Sequence, residues 1–100
     1  MANIVRVFRA VVHPGKEDEF ESFFVDEAVP MLRAYTGLVG LQVGLPREET
    51  PQEFLMITVW ESVEALAGFS GENWREAVVD PREEHLLKEV NVSHYFEAPI

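Results

Sequence analysis

The sequence predicts a two-layer α+β fold: a four-stranded antiparallel sheet with its helices on one face. Three observations carry that expectation. Runs rich in β-branched and aromatic residues alternate with runs of helical period in the order β-α-β-β-α-β. The candidate strands are apolar on both faces, so both faces of the sheet need cover. A chain of 100 residues is one domain's worth, and at this size roughly 65% of the unfolded surface is buried, enough for a single core spanning 1–100. Hydrophobic residues at 47% and charged residues at 26% fit a globular protein and exclude a disordered chain, a collagen-like repeat or a coiled-coil rod.

Asn3 to Val12 reads as the first strand. Ile4, Phe8 and Val12 share one of its faces and Val5, Val7 and Val11 the other. Arg6 and Arg9 fall on opposite faces, so neither is purely apolar. His13-Pro14-Gly15 ends the strand, because Pro lacks an N–H and Gly tolerates unusual backbone angles. From Lys16 the period turns helical through Phe20, Phe23, Phe24, Glu27, Met31, Leu32 and Tyr35. Glu17, Asp18, Glu19 and Glu21 complement the dipole of the first turns. Pro30 predicts a kink or a new helical segment near Val29, and Gly37 a C-terminal cap.

Leu38 to Leu45 is the second strand, with Gly40 and Gly44 marking a bulge or a close backbone approach. Phe54 to Trp60 is the third, joined to it by the charged loop Pro46 to Gln52. Leu55, Ile57 and Val59 oppose Phe54, Met56 and Trp60 across its faces. Ser62 caps a helix over Val63 to Phe69. Beyond the break at Ser70-Gly71, Glu72 to Val79 is expected to form a helical turn or two. After Asp80-Pro81, Arg82 to Glu89 is expected to form another helical stretch. Val90 to Glu97 closes the sheet as the fourth strand. This order is the ferredoxin-like arrangement. With helices for one face only, the second face is most simply covered by another copy of the chain, giving a homodimer closed sheet to sheet.

Charge excludes whole classes of partner. The balance is 8 basic against 18 acidic residues, net −10. Phosphate-rich partners need clustered cations to displace counterions, so neither nucleic acid nor an anionic membrane surface is expected. No apolar stretch approaches the roughly 20 residues of a membrane span, and the first residues lack the pattern of a secretory signal, which points to a cytoplasmic protein. Absence of Cys excludes disulfides, thiolate nucleophiles and thiolate-ligated metals. Neither G-x-G-x-x-G, G-x-x-x-x-G-K nor G-x-S-x-G occurs, so nucleotide, nicotinamide and flavin cofactors have no motif to support them.

The turn at His13-Pro14-Gly15, the helix exit from Pro30 to Gly37, and Phe54 with Trp60, Glu61, Ser62, Glu64, Ala65 and Leu66 together resemble the antibiotic biosynthesis monooxygenase family of dimeric α+β barrels. So does a closing strand ending His94-Tyr95-Phe96-Glu97. The resemblance spans nearly the whole chain. It implies a cofactor-free monooxygenase of aromatic polyketides or quinols, a haem-degrading protein, or one of the many small members with no assigned reaction, since the family holds all three; fold does not choose between them. Haem-degrading members use an Asn, a Trp and a His at positions that fall here on Phe8, Phe69 and Val79, so the resemblance argues against haem.

Among candidate site residues, Trp74 lies in an irregular stretch where an indole could line a pocket or fill the core, and Trp60 fits core or dimer interface. Phe8, Phe23 and Phe69 are the other expected pocket walls. His94 shares a strand face with Val90, Val92 and Phe96, as a half-buried base or as a core hydrogen-bonding group. His85, with Glu89 one turn on, is the alternative base or an ordinary surface pair. The three His residues are too scattered for a metal site, and the acidic helix start is a solvated face. The sequence thus points to a small aromatic molecule, bound and oxidised with no metal or organic cofactor. The rival reading is a non-catalytic dimeric barrel binding a small hydrophobic ligand.

Overall fold

The computed structural model describes residues 2–100. The strands β1 (Ile4–Val12), β2 (Leu38–Gly44), β3 (Glu53–Trp60) and β4 (Leu87–Phe96) form one antiparallel sheet in the order β2-β3-β1-β4. The helices α1 (Glu17–Phe23), α2 (Val29–Arg33) and α3 (Val63–Ser70) carry the rest of the regular structure. This is the expected ferredoxin-like topology. No helix among the described residues is long and apolar enough to cross a membrane.

Strict alternation sets which side chains meet the helices. On β1, Ile4, Arg6, Phe8, Ala10 and Val12 are buried while Val5, Val7, Arg9 and Val11 are half-buried on the open face. In register, Phe8 pairs with Met56 and Ala10 with Phe54, so β3 sends Phe54, Met56, Thr58 and Trp60 to the same side. The core is a cluster of rings: Phe20 lies 4.9 Å from Phe24 and 4.8 Å from Phe54, and Phe8 lies 6.1 Å from Phe24. Trp60 is fully buried. Its Nε1–H donates to Thr58 Oγ1 at 2.9 Å, which satisfies the one polar atom the indole takes into the core.

The expected kink takes a particular form. Between α1 and α2 the helix widens into a π-helical turn over Phe24–Ala28, with Pro30 at the start of α2. Pro30 has no N–H to give and its ring crowds the carbonyl four residues back, so the helix takes in an extra residue per turn there. Gly37 ends the unit with φ of +90°, and a Cβ there would sit 2.5 Å from the Cβ of Ala65. Ser62 caps α3 as expected, its Oγ accepting from the Ala65 N–H at 3.1 Å.

Two expectations are corrected. Glu72 to Val79 forms a turn over 72–75 followed by irregular chain rather than a helix. Backbone carbonyls a helix would use are claimed from outside, those of Trp74 and Glu76 by the guanidinium of Arg6. Arg82 to Glu89 holds only a single 3₁₀ turn, Glu84–Leu86, before β4 begins at Leu87. There the strand ladder wins over local propensity: Leu87 pairs with Val12, and the His13 N–H donates to the Leu86 carbonyl at 3.0 Å.

Candidate functional site

A cavity of about 300 Å³ lies between the helix-facing side of the sheet and the helical layer. The sheet supplies Arg6, Phe8, Met56 and Thr58 to its floor. Phe23, Phe24, Ala28, Met31, Leu32 and Tyr35 come from the helical unit, Phe69 from α3, and 78–81 and Glu83 from the following loop. The π-helical turn therefore has a local consequence, since Phe24 and Ala28 both line the cavity. Arg82 holds the loop against the helices: its guanidinium pairs with Glu27 and with Asp80, each at 3.0 Å, and lies 5.1 Å over the Phe23 ring. The lining is mostly apolar and aromatic, with a few polar groups, as in small-molecule sites.

Two of those polar groups are ionisable and buried. Glu83 is only 5% exposed, and no side chain among the described residues donates to its carboxyl. Burial, reinforced by the nearby Asp80 and opposed by Arg82, pushes its carboxyl up to about 7. Arg6 is 3% exposed. Its Nη1 donates to the Trp74 carbonyl at 2.6 Å and to His94 Nε2 at 2.8 Å, and its Nη2 donates to the Glu76 carbonyl at 3.0 Å. Burial lowers the Arg6 guanidinium to about 10, which leaves it charged at neutral pH. Because Arg only donates, His94 Nε2 must be the unprotonated nitrogen, and the imidazole is neutral. Desolvation, with the charges of Arg6 and Arg75, accordingly lowers the His94 pKa.

The residues singled out in the sequence separate into two groups. Phe8, Phe23 and Phe69 line the cavity. Trp74, His94 and His85 do not. The Trp74 indole packs edge-on against His94 at 5.1 Å, with Arg75 4.2 Å above it, and it is the carbonyl of Trp74 that the site uses. His85 is on the surface, its side chain 62% exposed and 3.3 Å from Glu19. Trp60 lies behind Phe69, with which it stacks at 5.6 Å. Glu83 and Arg6 were not among the sequence candidates. Arg6 had a signal, a charge in the middle of the stripe Ile4, Phe8, Ala10, Val12. Glu83 had a fainter one, its spacing of three from the apolar anchor Leu86. No group of three or more His, Asp or Glu among the described residues could hold a metal ion.

A ferredoxin-like sheet with an apolar, partly roofed cavity beneath its helices defines a class of small α+β proteins rather than one activity. The chain belongs to the antibiotic biosynthesis monooxygenase family, whose model matches residues 3–80. Among solved structures it is similar to a protein from Shewanella oneidensis, with TM-score 0.80 at 14% identity, covering 96% of this chain and 91% of that one. It is also similar to a Bordetella bronchiseptica protein ascribed to the antibiotic biosynthesis monooxygenases, with TM-score 0.70 at 23% identity and coverage of 98% and 99%. A third is a point mutant of MhuD with two manganese protoporphyrin IX molecules bound per active site, with TM-score 0.71 at 21% identity and coverage of 97% and 95%. No curated protein matches the chain. At these identities the structural likenesses establish the fold.

Proposed function

We propose that the protein is a cofactor-independent monooxygenase acting on a small aromatic or quinol-like substrate in the cavity between sheet and helices. The carrying observation is Glu83, a buried residue in the lining of a largely apolar cavity, whose carboxyl is pushed up to about 7. A general base works best when its pKa lies near the operating pH. Family membership supports the same reaction class, since the family includes monooxygenases.

In this reading Glu83 takes the proton from an activated ring CH₂ group of the substrate. The resulting carbanion, delocalised over the ring, gives an electron to dioxygen. The radical pair combines through a new C–O bond, and protonation from Glu83 yields a hydroperoxide. Loss of water leaves a carbonyl, so CH₂ plus O₂ becomes C=O plus H₂O and the substrate supplies all four electrons. The walls of Phe8, Phe23, Phe24 and Phe69 keep water from the anion and stack on the ring. His94 and His85 lie away from the cavity, which is why the base is assigned to Glu83. Haem degradation is not favoured, because no His lines the cavity and its volume of about 300 Å³ is at the low end for a ligand site.

The open face of the sheet supports a homodimer. Val5, Val7, Val11, Leu55, Ile57 and Val59 stand together on it, half-buried in the single chain. An apolar surface of that kind is covered in stable proteins.

The activity is tested by equilibrating the protein without oxygen against a panel of quinols and anthrones, then admitting oxygen and following its consumption. Uptake above the uncatalysed rate is the expected result. Spectral shifts without uptake would leave a ligand-binding barrel and contradict the oxygenase.

A further inference from the structure

Arg6 carries a charge that nothing among the described residues neutralises. Among the described residues no carboxylate lies within salt-bridge distance of it. Its three partners are two backbone carbonyls and a neutral imidazole. A buried cation held only by neutral groups is expensive, and such groups elsewhere are paired. Arg9, on the opposite face of the same strand, shows the usual arrangement: it pairs with Glu53 and Glu89 and bonds Asn91. The partners of Arg6 use both hydrogens of Nη1 and one of Nη2, leaving the Nε–H and one Nη2–H unspent. No fully enclosed side-chain nitrogen or oxygen among the described residues lacks a hydrogen-bond partner, so the unpartnered Nε–H opens on space that water can reach. Arg6 is also one of the residues that line the cavity. Nε and Nη2 sit on one edge of the guanidinium, the edge that takes a carboxylate by two parallel N–H···O bonds.

We propose that Arg6 is the anchor of the cavity for a flat aromatic acid, whose carboxylate docks on the free Nε and Nη2 donors while its ring lies among Phe8, Phe24 and Phe69. The carbonyls of Trp74 and Glu76 and the imidazole of His94 hold the guanidinium in place without competing for its charge. The other carboxyls of the cavity oppose an anion only weakly. Asp80 is paired with Arg82, and Glu83 is protonated below neutral pH. The net charge of −10 acts at long range and is screened over about 8 Å at physiological salt. The proposal specifies the substrate class for the cavity named above, and so rests on that reading of the site. It does not depend on turnover.

Calorimetric titration at pH 6 and 0.15 M salt, with 2-naphthoate against its neutral counterpart 2-acetylnaphthalene, tests it. On the wild-type protein the carboxylate is expected to bind roughly ten- to a hundredfold tighter, the range for hydrogen bonds to a charged partner. Arg6→Met should abolish that preference, while Arg6→Lys retains part of it. Equal binding of the two probes by the wild type, or tighter binding of the neutral one, would overturn the anchor whether or not the Met variant folds. Failure of both probes to bind would overturn the anchor and the cavity reading together. A carboxylate preference in a protein that takes up no oxygen would support the anchor and remove the oxygenase. Oxygen uptake without the preference would do the reverse.

Discussion

At the scale of single residues, the account turns on two ionisable groups that the fold takes out of water. Glu83 binds its proton more tightly folded than unfolded, its pKa being pushed up from 4.5 to about 7. The folded state is therefore favoured at low pH, and that advantage fades as pH rises from 4.5 through 7. The shift corresponds to an upper bound on the order of 3 kcal/mol. Glu83→Gln is neutral at every pH and nearly isosteric, so it should raise the melting temperature at pH 8 and leave it close to wild type at pH 5; thermal denaturation followed by circular dichroism checks both. His94 acts in the opposite direction. Its folded pKa is lowered, so its contribution is present above about 6.5 and is lost as pH falls through the folded value. Protonating it would set two cations 2.8 Å apart at Nε2 and the Arg6 Nη1. Neither Arg6 nor Glu83 was identified as a buried ionisable centre from sequence, for different reasons. Arg6 interrupts an apolar stripe and could be noticed, but alternation does not say which face meets the helices. Glu83 sits in the charged run Arg82-Glu83-Glu84, where only its spacing of three from Leu86 separates the buried carboxyl from its exposed neighbour.

Among elements, those with strong local signals appear where the sequence puts them, and those decided by distant partners do not. β1 and β3 follow from period-two alternation, and α3 follows from its Ser62 cap. The segment 72–89 carries helix-like spacing, yet its carbonyls go to Arg6 and its end joins the ladder with Val12. Such claims come from residues some 70 positions away, beyond any local window. Gly37 lies close against Ala65 of α3, and it tests that junction. Gly37→Ala combines a strained positive φ with a contact of 2.5 Å to Ala65. It should lose at least about 2 kcal/mol, or roughly 10 °C in melting temperature. Gly15 shares the φ of +90° but has nothing within 4 Å, so Gly15→Ala should lose only about 1 kcal/mol. Similar losses in the two variants would mean that the α3 contact is not tight.

For the molecule as a whole, the division of the sheet into two faces organises both assembly and chemistry. The helix-facing side holds the core and the cavity, and the open side holds the valines and isoleucine that argue for a second copy. Both faces were readable from the alternation of β1 and β3, whereas the cavity depends on how a π-helical turn and an irregular loop close over the sheet. Val7 and Ile57 are direct partners across the centre of the open face. Equilibrium sedimentation should give twice 11.4 kDa for the wild type and 11.4 kDa for Ile57→Asp, whose charge would have to be buried at the interface. A monomeric wild type would contradict the sheet-to-sheet dimer.

The most direct test of the central claim, that Glu83 is the base of a cofactor-free oxygenation, is the pH profile of oxygen uptake with an anthrone substrate, for wild type and Glu83→Gln. The account predicts that uptake by the wild type rises through pH 7 as Glu83 loses its proton, and that the Gln variant falls by roughly 10²- to 10⁴-fold. Uptake that survives the substitution with its pH profile intact would contradict it.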